Sequence, residues 1–325
     1  MRKKKLGYTD LQLTTVGCGT WAIGGSGWAY AWGPQEDEDS IATVRRALDL
    51  GINWVDTAPV YGFGHSEEMV GKAIAGRRDE VIVATKCGQV WDEGNPVPYD
   101  RLKADSVKRE AEASLRRLGV DVIDLYQIHW PNPDADIEEA WGTIAELVRE
   151  GKVRYGGVSN FSVEQLRRIQ PIHPIASLQP PYSMIRRDIE SELLPFCAAN
   201  NIGVVCYSPM QTGMLTGKVT REWVAGLPED DWRKGNRFFV EPGLSANLAL
   251  IEKLRPIAER SGHTLAQLAI AWTLRRPEVT AAIVGARRPQ QIEETAPAAD
   301  WVLSPEIIAQ VEALLAERDK AMASS

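Results

Sequence analysis

The sequence is poor in the residues that build metal centres and covalent cross-links. Its 325 residues include four histidines, His65, His129, His173 and His263, far apart and with no H-E-x-x-H pair, so no metal site is expected. Four cysteines, Cys18, Cys87, Cys197 and Cys206, form no C-x-x-C pair, which is ordinary usage for a reducing compartment. No apolar run approaches the ~20 residues of a membrane span. The N-terminus lacks the apolar core of a signal peptide. Positive charge is not in excess: 37 Lys and Arg stand against 44 Asp and Glu, a formal net charge of -7. A phosphate backbone needs a basic counter-surface, so a nucleic-acid partner is not favoured. The run Arg2, Lys3, Lys4, Lys5 is short and isolated and reads as a solvated N-terminal strand. The expectation is a soluble cytoplasmic protein with a small-molecule partner and an open oligomeric state.

What the chain does have is alternation. Eight short β-like apolar runs cover 15–19, 53–56, 81–86, 122–129, 153–159, 175–179, 202–208 and 281–285. Between them lie amphipathic helical stretches such as 39–50, 102–118, 137–150, 163–170, 189–200 and 246–261. Their apolar residues recur at helical spacing, as in Leu102, Val107, Ala111, Leu115 and Leu118. Strand-then-helix alternation requires a parallel sheet, because parallel neighbours need long crossovers. Eight such units in about 250 core residues is the count of a closed (β/α)8 TIM barrel. The surplus reads as an N-terminal β-hairpin over 3–13 turning at Tyr8-Thr9-Asp10, a long loop over 210–244 after the seventh strand, and an extra C-terminal helix from Ser304-Pro305 to about Arg318. No linker divides 1–325, so one barrel domain is expected.

Several of these runs end in polar residues: Asp56, Lys86, His129, Ser159 with Asn160, Gln179, and Tyr207 with Ser208. In a (β/α)8 barrel the C-terminal strand ends meet at one mouth, where active sites sit. Asp56, Lys86 and His129 therefore converge, and Tyr61 lies in the loop just beyond Asp56. Taken singly, such an Asp is a helix cap, such a Lys is solvated and such a Tyr is a packing lid. Together they form an acid-base set. A phenol with a reference pKa of about 10 gives up its proton too reluctantly for neutral pH. Lys86, held charged by Asp56, is expected to lower that pKa. His129 is placed to polarise a substrate carbonyl. The set can polarise a C=O and protonate the alkoxide, but no residue donates hydride, so a reduced cofactor must.

These residues resemble the aldo-keto reductase superfamily over nearly the whole chain. The stretches that carry the resemblance are VDTAPVYGFGHSEEMVGKAI (55–74), VIVATKCG (81–88), DLYQIHWP (124–131), GKVRYGGVSNFS (151–162) and AAIVGARRPQQIEE (281–294). The segment YSPMQTGMLTGK (207–218) looks like the branch of bacterial sugar and inositol dehydrogenase-like enzymes and potassium-channel β subunits. The resemblance implies that Asp56, Tyr61, Lys86 and His129 form the catalytic tetrad. It implies that Ser159, Asn160 and Gln179 hold a nicotinamide carboxamide, that Tyr207 stacks on the ring, and that Thr20 and Trp21 lie near the ribose and substrate. Ser208, Pro209, Met210, Gly213 and Lys218 match a loop over the pyrophosphate, and Gly285, Arg287, Gln291, Glu294 and Thr295 match the adenosine site. Thr295 stands where relatives commonly carry Asn, and Gly285-Ala286 lacks the Lys-Ser many relatives use for a 2′-phosphate. Arg287 and Arg288, with Arg237 as a further candidate, could supply that charge, so NADP(H) is expected over NAD(H).

Three other readings are weaker. Gly17, Gly19 and Ala22 satisfy G-x-G-x-x-A, but 21–34 is rich in Gly and Trp and opens no helix, which rejects a Rossmann site. Lys86 as a Schiff-base lysine leaves Tyr61, Ser159, Asn160 and Gln179 without a joint role. A nucleotide-sensing regulatory subunit is compatible with the tetrad, since channel β subunits share the branch. Substrate choice is encoded only as aromatic walls: Trp21, Trp28, Trp32, Phe63, Trp91 and Trp130 are candidates to line the cleft, which suits aldehydes, ketones and sugars or the corresponding polyols.

Overall fold

The structure, a computed structural model, describes residues 1–229 and 231–323. Twelve strands form among them: β1 (Lys3–Lys5), β2 (Gln12–Thr14), β3 (Val16–Gly19), β4 (Trp54–Asp56), β5 (Ile82–Cys87), β6 (Gln89–Val90), β7 (Tyr99–Asp100), β8 (Ile123–Ile128), β9 (Val153–Ser159), β10 (Ser177–Gln179), β11 (Gly203–Cys206) and β12 (Val279–Gly285). Eight of them close a parallel barrel in the order β3-β4-β5-β8-β9-β10-β11-β12. These are the eight runs expected from the sequence. Each is buried nearly throughout, which is why it reads as an apolar run and not as strict alternation.

Period-two geometry separates the two faces of each strand. Trp54, Ala84, Leu125, Ala176, Val205, Ala281 and Ile283 form one inner cluster with Leu6, Leu11 and Leu13 of the hairpin. That hairpin, β1 paired with β2, closes the end of the barrel where the strands begin: Gly7 lies against the backbone of Ala176, Asn201 and Gly203. Two residues further along three strands the side chains become polar, at Asp56, Lys86 and Gln127. The inner wall thus passes from a packed floor to a reactive layer by sequence alternation alone.

Barrel packing explains the glycines of the false Rossmann motif. A Cβ on Gly17 would lie 2.1 Å from the Trp54 ring, and one on Gly19 would lie 2.6 Å from Ile283. They are small because the barrel interior is full. Trp54 completes the arrangement by donating its indole N–H to Thr14 O at 2.9 Å.

The outer helices follow the expected stretches with shifted ends. Ala104–Leu118 buries Val107, Ala111, Ser114 and Leu118 and stops at Gly119, whose φ of 64° is left-handed. Where one helix was expected over 189–200, a short turn at Asp188–Glu190 precedes a helix over Leu193–Ala199. Pro195 has no N–H and is tolerated only in a first turn, so the helix begins two residues before it. His65–Ile74 and Leu265–Thr273 are helices that the periodicity reading passes over. The second is buried at every position, so it carries no amphipathic stripe. The 210–244 segment holds a short helix, Arg221–Ala225, between 3-10 turns, and the C-terminal helix runs over Pro305–Ala323. Among the described residues no helix is long and apolar enough to cross a membrane, and no group of three or more His, Cys, Asp or Glu is placed to hold a metal ion.

The glycine reading is testable by thermal unfolding. Gly17→Ala should destabilise the barrel by about 1–3 kcal/mol, since the Trp54 ring cannot move out of a packed interior. Gly142→Ala, on a helix where no atom lies within 4 Å of the new methyl, should instead stabilise by about 0.5–1 kcal/mol. Equal melting shifts for the two variants would contradict it.

Candidate active site

Three strands and one loop bring the acid-base set together. Asp56 is the last residue of β4, Lys86 lies near the end of β5, His129 follows β8, and Tyr61 stands in the loop after β4. Lys86 is completely buried and Asp56 nearly so. The Lys86 Nζ donates to Asp56 Oδ1 at 2.6 Å, to Thr57 O at 2.8 Å and to Tyr61 OH at 3.2 Å. All three ammonium hydrogens are therefore used. The His129 ring stands edge-on to Tyr61 with centroids 5.8 Å apart.

Protonation follows from this geometry. Burial alone would lower the Lys86 pKa, but Asp56 and Tyr61 outweigh it, and the ammonium stays charged. Burial pushes the Tyr61 hydroxyl up; Lys86 pulls it down and Asp56 pushes it up. The net direction is upward, which corrects the expectation that Lys86 would dominate. Tyr61 is thus a neutral phenol whose conjugate base has a cation waiting beside it. Burial first, then Lys86, hold the His129 imidazole well below its usual range, so it is neutral at pH 7 and has one N–H and one lone pair.

A second polar set adjoins the first. Gln179 Nε2 donates to Asp56 Oδ2 at 2.8 Å, and Ser159 Oγ donates to Gln179 O at 2.8 Å. Asn160 Nδ2 donates to His129 O at 3.1 Å and to Ser159 Oγ at 3.0 Å, while its Oδ1 accepts from Tyr207 OH at 2.9 Å. Asn160 and Ser208 hold φ of 64° and 55°, a left-handed conformation that Asn tolerates and Ser rarely adopts. Burial pushes the Tyr207 hydroxyl up to about 12, so it donates as a neutral group.

Both sets open into one cavity of about 770 Å³. Its wall includes Thr20, Trp21, Trp28, Trp32, Tyr61, His129, Trp130, Ser159, Asn160, Gln179 and Tyr207, and it continues past Ser208, Pro209, Met210, Gly213 and Lys218 to Gly285 and Gln291. Trp21 is the hub of the aromatic wall, with ring centroids 5.0 Å from Trp32 and 6.5 Å from Trp28, which itself lies 6.1 Å from Tyr61.

Some expected residues lie elsewhere. Phe63 and Trp91 do not line the cavity; they stack on each other with centroids 5.0 Å apart. Arg237 lies over the Phe238 ring and lines a separate surface depression. Arg287 donates to Gln35 Oε1 at 2.8 Å, to Trp32 O at 3.0 Å and to Pro34 O, so its guanidinium ties down the loop after β3. Arg288 is largely exposed, with Asp39 3.9 Å away. Glu294 pairs with Lys218 at 2.9 Å, and Thr295 turns its hydroxyl onto Gln291 O of its own helix.

Other wall residues were not foreseen. The Trp232 ring sits 6.0 Å from Trp21, and the Arg233 guanidinium lies over both Trp32, at 4.9 Å, and Trp223, at 5.0 Å. This cation–π contact joins the loop after β3 to the 210–244 segment. Gln127, which donates to Asp56 Oδ2 at 3.3 Å, was also missed. Its signal was its place two residues before His129 on the same strand face.

The neutral state of His129 fixes a pH sign. Its folded pKa lies below the unfolded value, so the unfolded chain takes up the proton first and stability is lost as pH falls through the unfolded value of about 6.5. His129→Gln should therefore lose less stability than the wild type between pH 7.5 and pH 5.5 in denaturant titrations. Identical losses would contradict a neutral, buried imidazole.

Sequence and structure comparisons agree on the relatives. The description "Aldo/keto reductase family" matches residues 15–316. The chain is 40% identical over 309 residues to the aldo-keto reductase YhdN of Bacillus subtilis (strain 168), covering 94% of this chain and 91% of that one. It is 37% identical over 317 residues to the NADH-specific methylglyoxal reductase of Escherichia coli (strain K12), covering 94% and 95%. The solved structure of the glycerol dehydrogenase AKR11B4 from Gluconobacter oxydans superimposes with a TM-score of 0.89 at 38% identity, over 97% of this chain and 95% of that one. The chain therefore belongs to the aldo/keto reductase family, oxidoreductases of carbonyl or alcohol groups that use a nicotinamide cofactor on a (β/α)8 barrel.

Proposed function

We propose that the protein transfers hydride between NADP(H) and the carbonyl of an aldehyde, ketone or sugar, or the matching alcohol, with Tyr61 as the acid-base residue. The observation that carries this reading is the Lys86 ammonium, which touches Asp56 and Tyr61 together at the wall of the cavity. The residues present fit a dinucleotide. The cavity falls within the ~300–1,000 Å³ of small-molecule and cofactor sites. At Gly213 and Gly285 an added Cβ would meet no atom within 4 Å, so bare backbone faces open space along the wall. When bound, the reduced nicotinamide supplies the hydride.

Ser159, Asn160 and Gln179 would hold the carboxamide, and Tyr207 would stack on the ring. The turn from Ser208 to Gly213, with Lys218, would cover the diphosphate, and Gly285 and Gln291 would border the adenosine. His129, as a neutral donor, hydrogen-bonds the carbonyl oxygen and polarises it. Tyr61 gives its hydroxyl proton to that oxygen, and Lys86 compensates the phenolate left behind. Asp56 keeps Lys86 charged and fixed. In the oxidative direction the same groups run in reverse.

NADP(H) is preferred over NAD(H) because Arg288, an exposed guanidinium, caps the helix Pro289–Thr295 whose Gln291 borders the cavity. Arg287 is already committed to three acceptors and serves to hold the loop. The NADH specificity of the Escherichia coli relative makes this the feature to test first.

Two measurements test the proposal. Tyr61→Phe should bind NADPH normally and lose carbonyl reduction by about 10²–10⁴-fold, the size of a general-acid contribution. Near-wild-type turnover would remove Tyr61 from the mechanism. Arg288→Ala should weaken NADPH binding about tenfold or more in fluorescence titrations and leave NADH nearly unchanged, as expected for one lost charge-assisted contact. Equal changes for the two cofactors would show that Arg288 does not read the 2′-phosphate.

A further inference from the structure

Gln127, next to last on β8, is a polar side chain with no exposure at all. A buried carboxamide must find partners for its hydrogens and its oxygen. Its Nε2 donates to Asp56 Oδ2 at 3.3 Å, and its Oε1 accepts from Gln179 Nε2 at 3.2 Å. Gln179 Nε2 also donates to Asp56 Oδ2 at 2.8 Å. The three side chains close a triangle. The orientation of both amides follows from chemistry, since an ionised carboxylate only accepts and both nitrogens must therefore face it.

The neighbouring strand makes room for this residue. Gly157 stands beside Gln127 in the β8–β9 register, and a Cβ on Gly157 would lie 3.2 Å from Gln127 Cγ and 2.3 Å from Ser177 Oγ. On the other side Lys86 is its register partner on β5. Gln127 thus sits between the proton-transfer pair and the carboxamide-holding set, and touches one member of each.

We infer that Gln127 is the positioning residue that couples these two sets. It acts on Asp56 by sharing the charge of Oδ2, the oxygen that Lys86 does not take. It acts on Gln179 by using that residue's second N–H. With both hydrogens committed to Asp56 and Gln127, Gln179 has only Oε1 left to offer, and that oxygen accepts an amide N–H. A carboxamide ligand is therefore read by its N–H₂ end at Gln179. This last step rests on the proposed cofactor; the hold on Asp56 does not.

The test uses two full-length variants and three readouts. Gln127→Met keeps length and removes both hydrogen bonds. It should weaken NADPH about tenfold by fluorescence titration, as expected for one lost buried hydrogen bond. It should also move the alkaline limb of the reduction profile to higher pH, because an unshared Asp56 charge holds the Tyr61 proton more firmly. Gln127→Met combined with Gln179→Met should bind NADPH no worse than Gln179→Met alone, since the first residue acts through the second. A wild-type dissociation constant and pH profile in Gln127→Met, or additive losses in the double variant, would overturn the inference.

Gln127→Glu covers the case in which the methionine variant does not fold. Its new carboxyl can donate to Asp56 only while protonated, so activity should be retained at low pH and fall as pH rises, while the acceptor to Gln179 keeps NADPH binding close to wild type. A pH profile unchanged by this substitution would also overturn the inference. Failure of the proposed function is a separate result: the wild type itself would then show no NADPH-dependent reduction and no saturable nucleotide binding.

Discussion

The structure is organised around one buried charge pair. Lys86 and Asp56 sit 2.6 Å apart with almost no exposure, in a barrel whose lower interior is apolar. Such a pair gains little net stability, because desolvating two ions offsets most of their attraction. It persists only if every remaining donor and acceptor is answered. Thr57 O and Tyr61 OH take the other two ammonium hydrogens, and two glutamine amides take the second carboxylate oxygen. The demand for satisfaction therefore fixes the hydroxyl of Tyr61 beside a cation and the amide of Gln179 beside the cavity. The contacts that stabilise the pair are the same ones on which the proposed proton transfer relies.

The cavity above the pair is enclosed by segments that carry no barrel strand. The loop after β3 brings Trp21, Trp28 and Trp32, and the 210–244 segment brings Trp223, Trp232 and Arg233. Arg233 over two indoles joins the two segments, and Arg287 ties down the first through Trp32 O and Gln35 Oε1. On the proposed mechanism, in which the neutral Tyr61 phenol gives up a proton, aromatic walls that keep water out would strengthen each electrostatic contact inside. Aromatic walls suit both the C–H face of a sugar and an apolar aldehyde, so the wall singles out no one substrate.

The barrel was legible because buried parallel strands write themselves as apolar runs, and because the residue that ends each run faces the mouth. Asp56, Lys86, His129, Ser159 and Gln179 are all of that kind. What escaped were features set by packing between distant segments. Phe63 and Trp91 have the composition of cleft residues but satisfy each other. Arg287 has the charge of a phosphate ligand but is held by loop carbonyls 252 to 255 residues away in sequence. The direction of the Tyr61 shift depended on burial outweighing Lys86, which no spacing reveals. Gln127 was within reach, since strand alternation from His129 points to it. It was passed over because an amide inside an apolar run looks like an exception and not a member of the site.

On the proposed reading this cavity moves a hydride from a reduced nicotinamide to a carbonyl carbon, and the tetrad supplies only the proton. Its most direct test is a turnover with nicotinamide cofactor deuterated at the transferable C4 position, followed by mass spectrometry of the product. Hydride transfer should give an alcohol that carries the label on its carbinol carbon, with the hydroxyl hydrogen drawn from water. Product without carbon-bound label, or label washed into solvent, would contradict it.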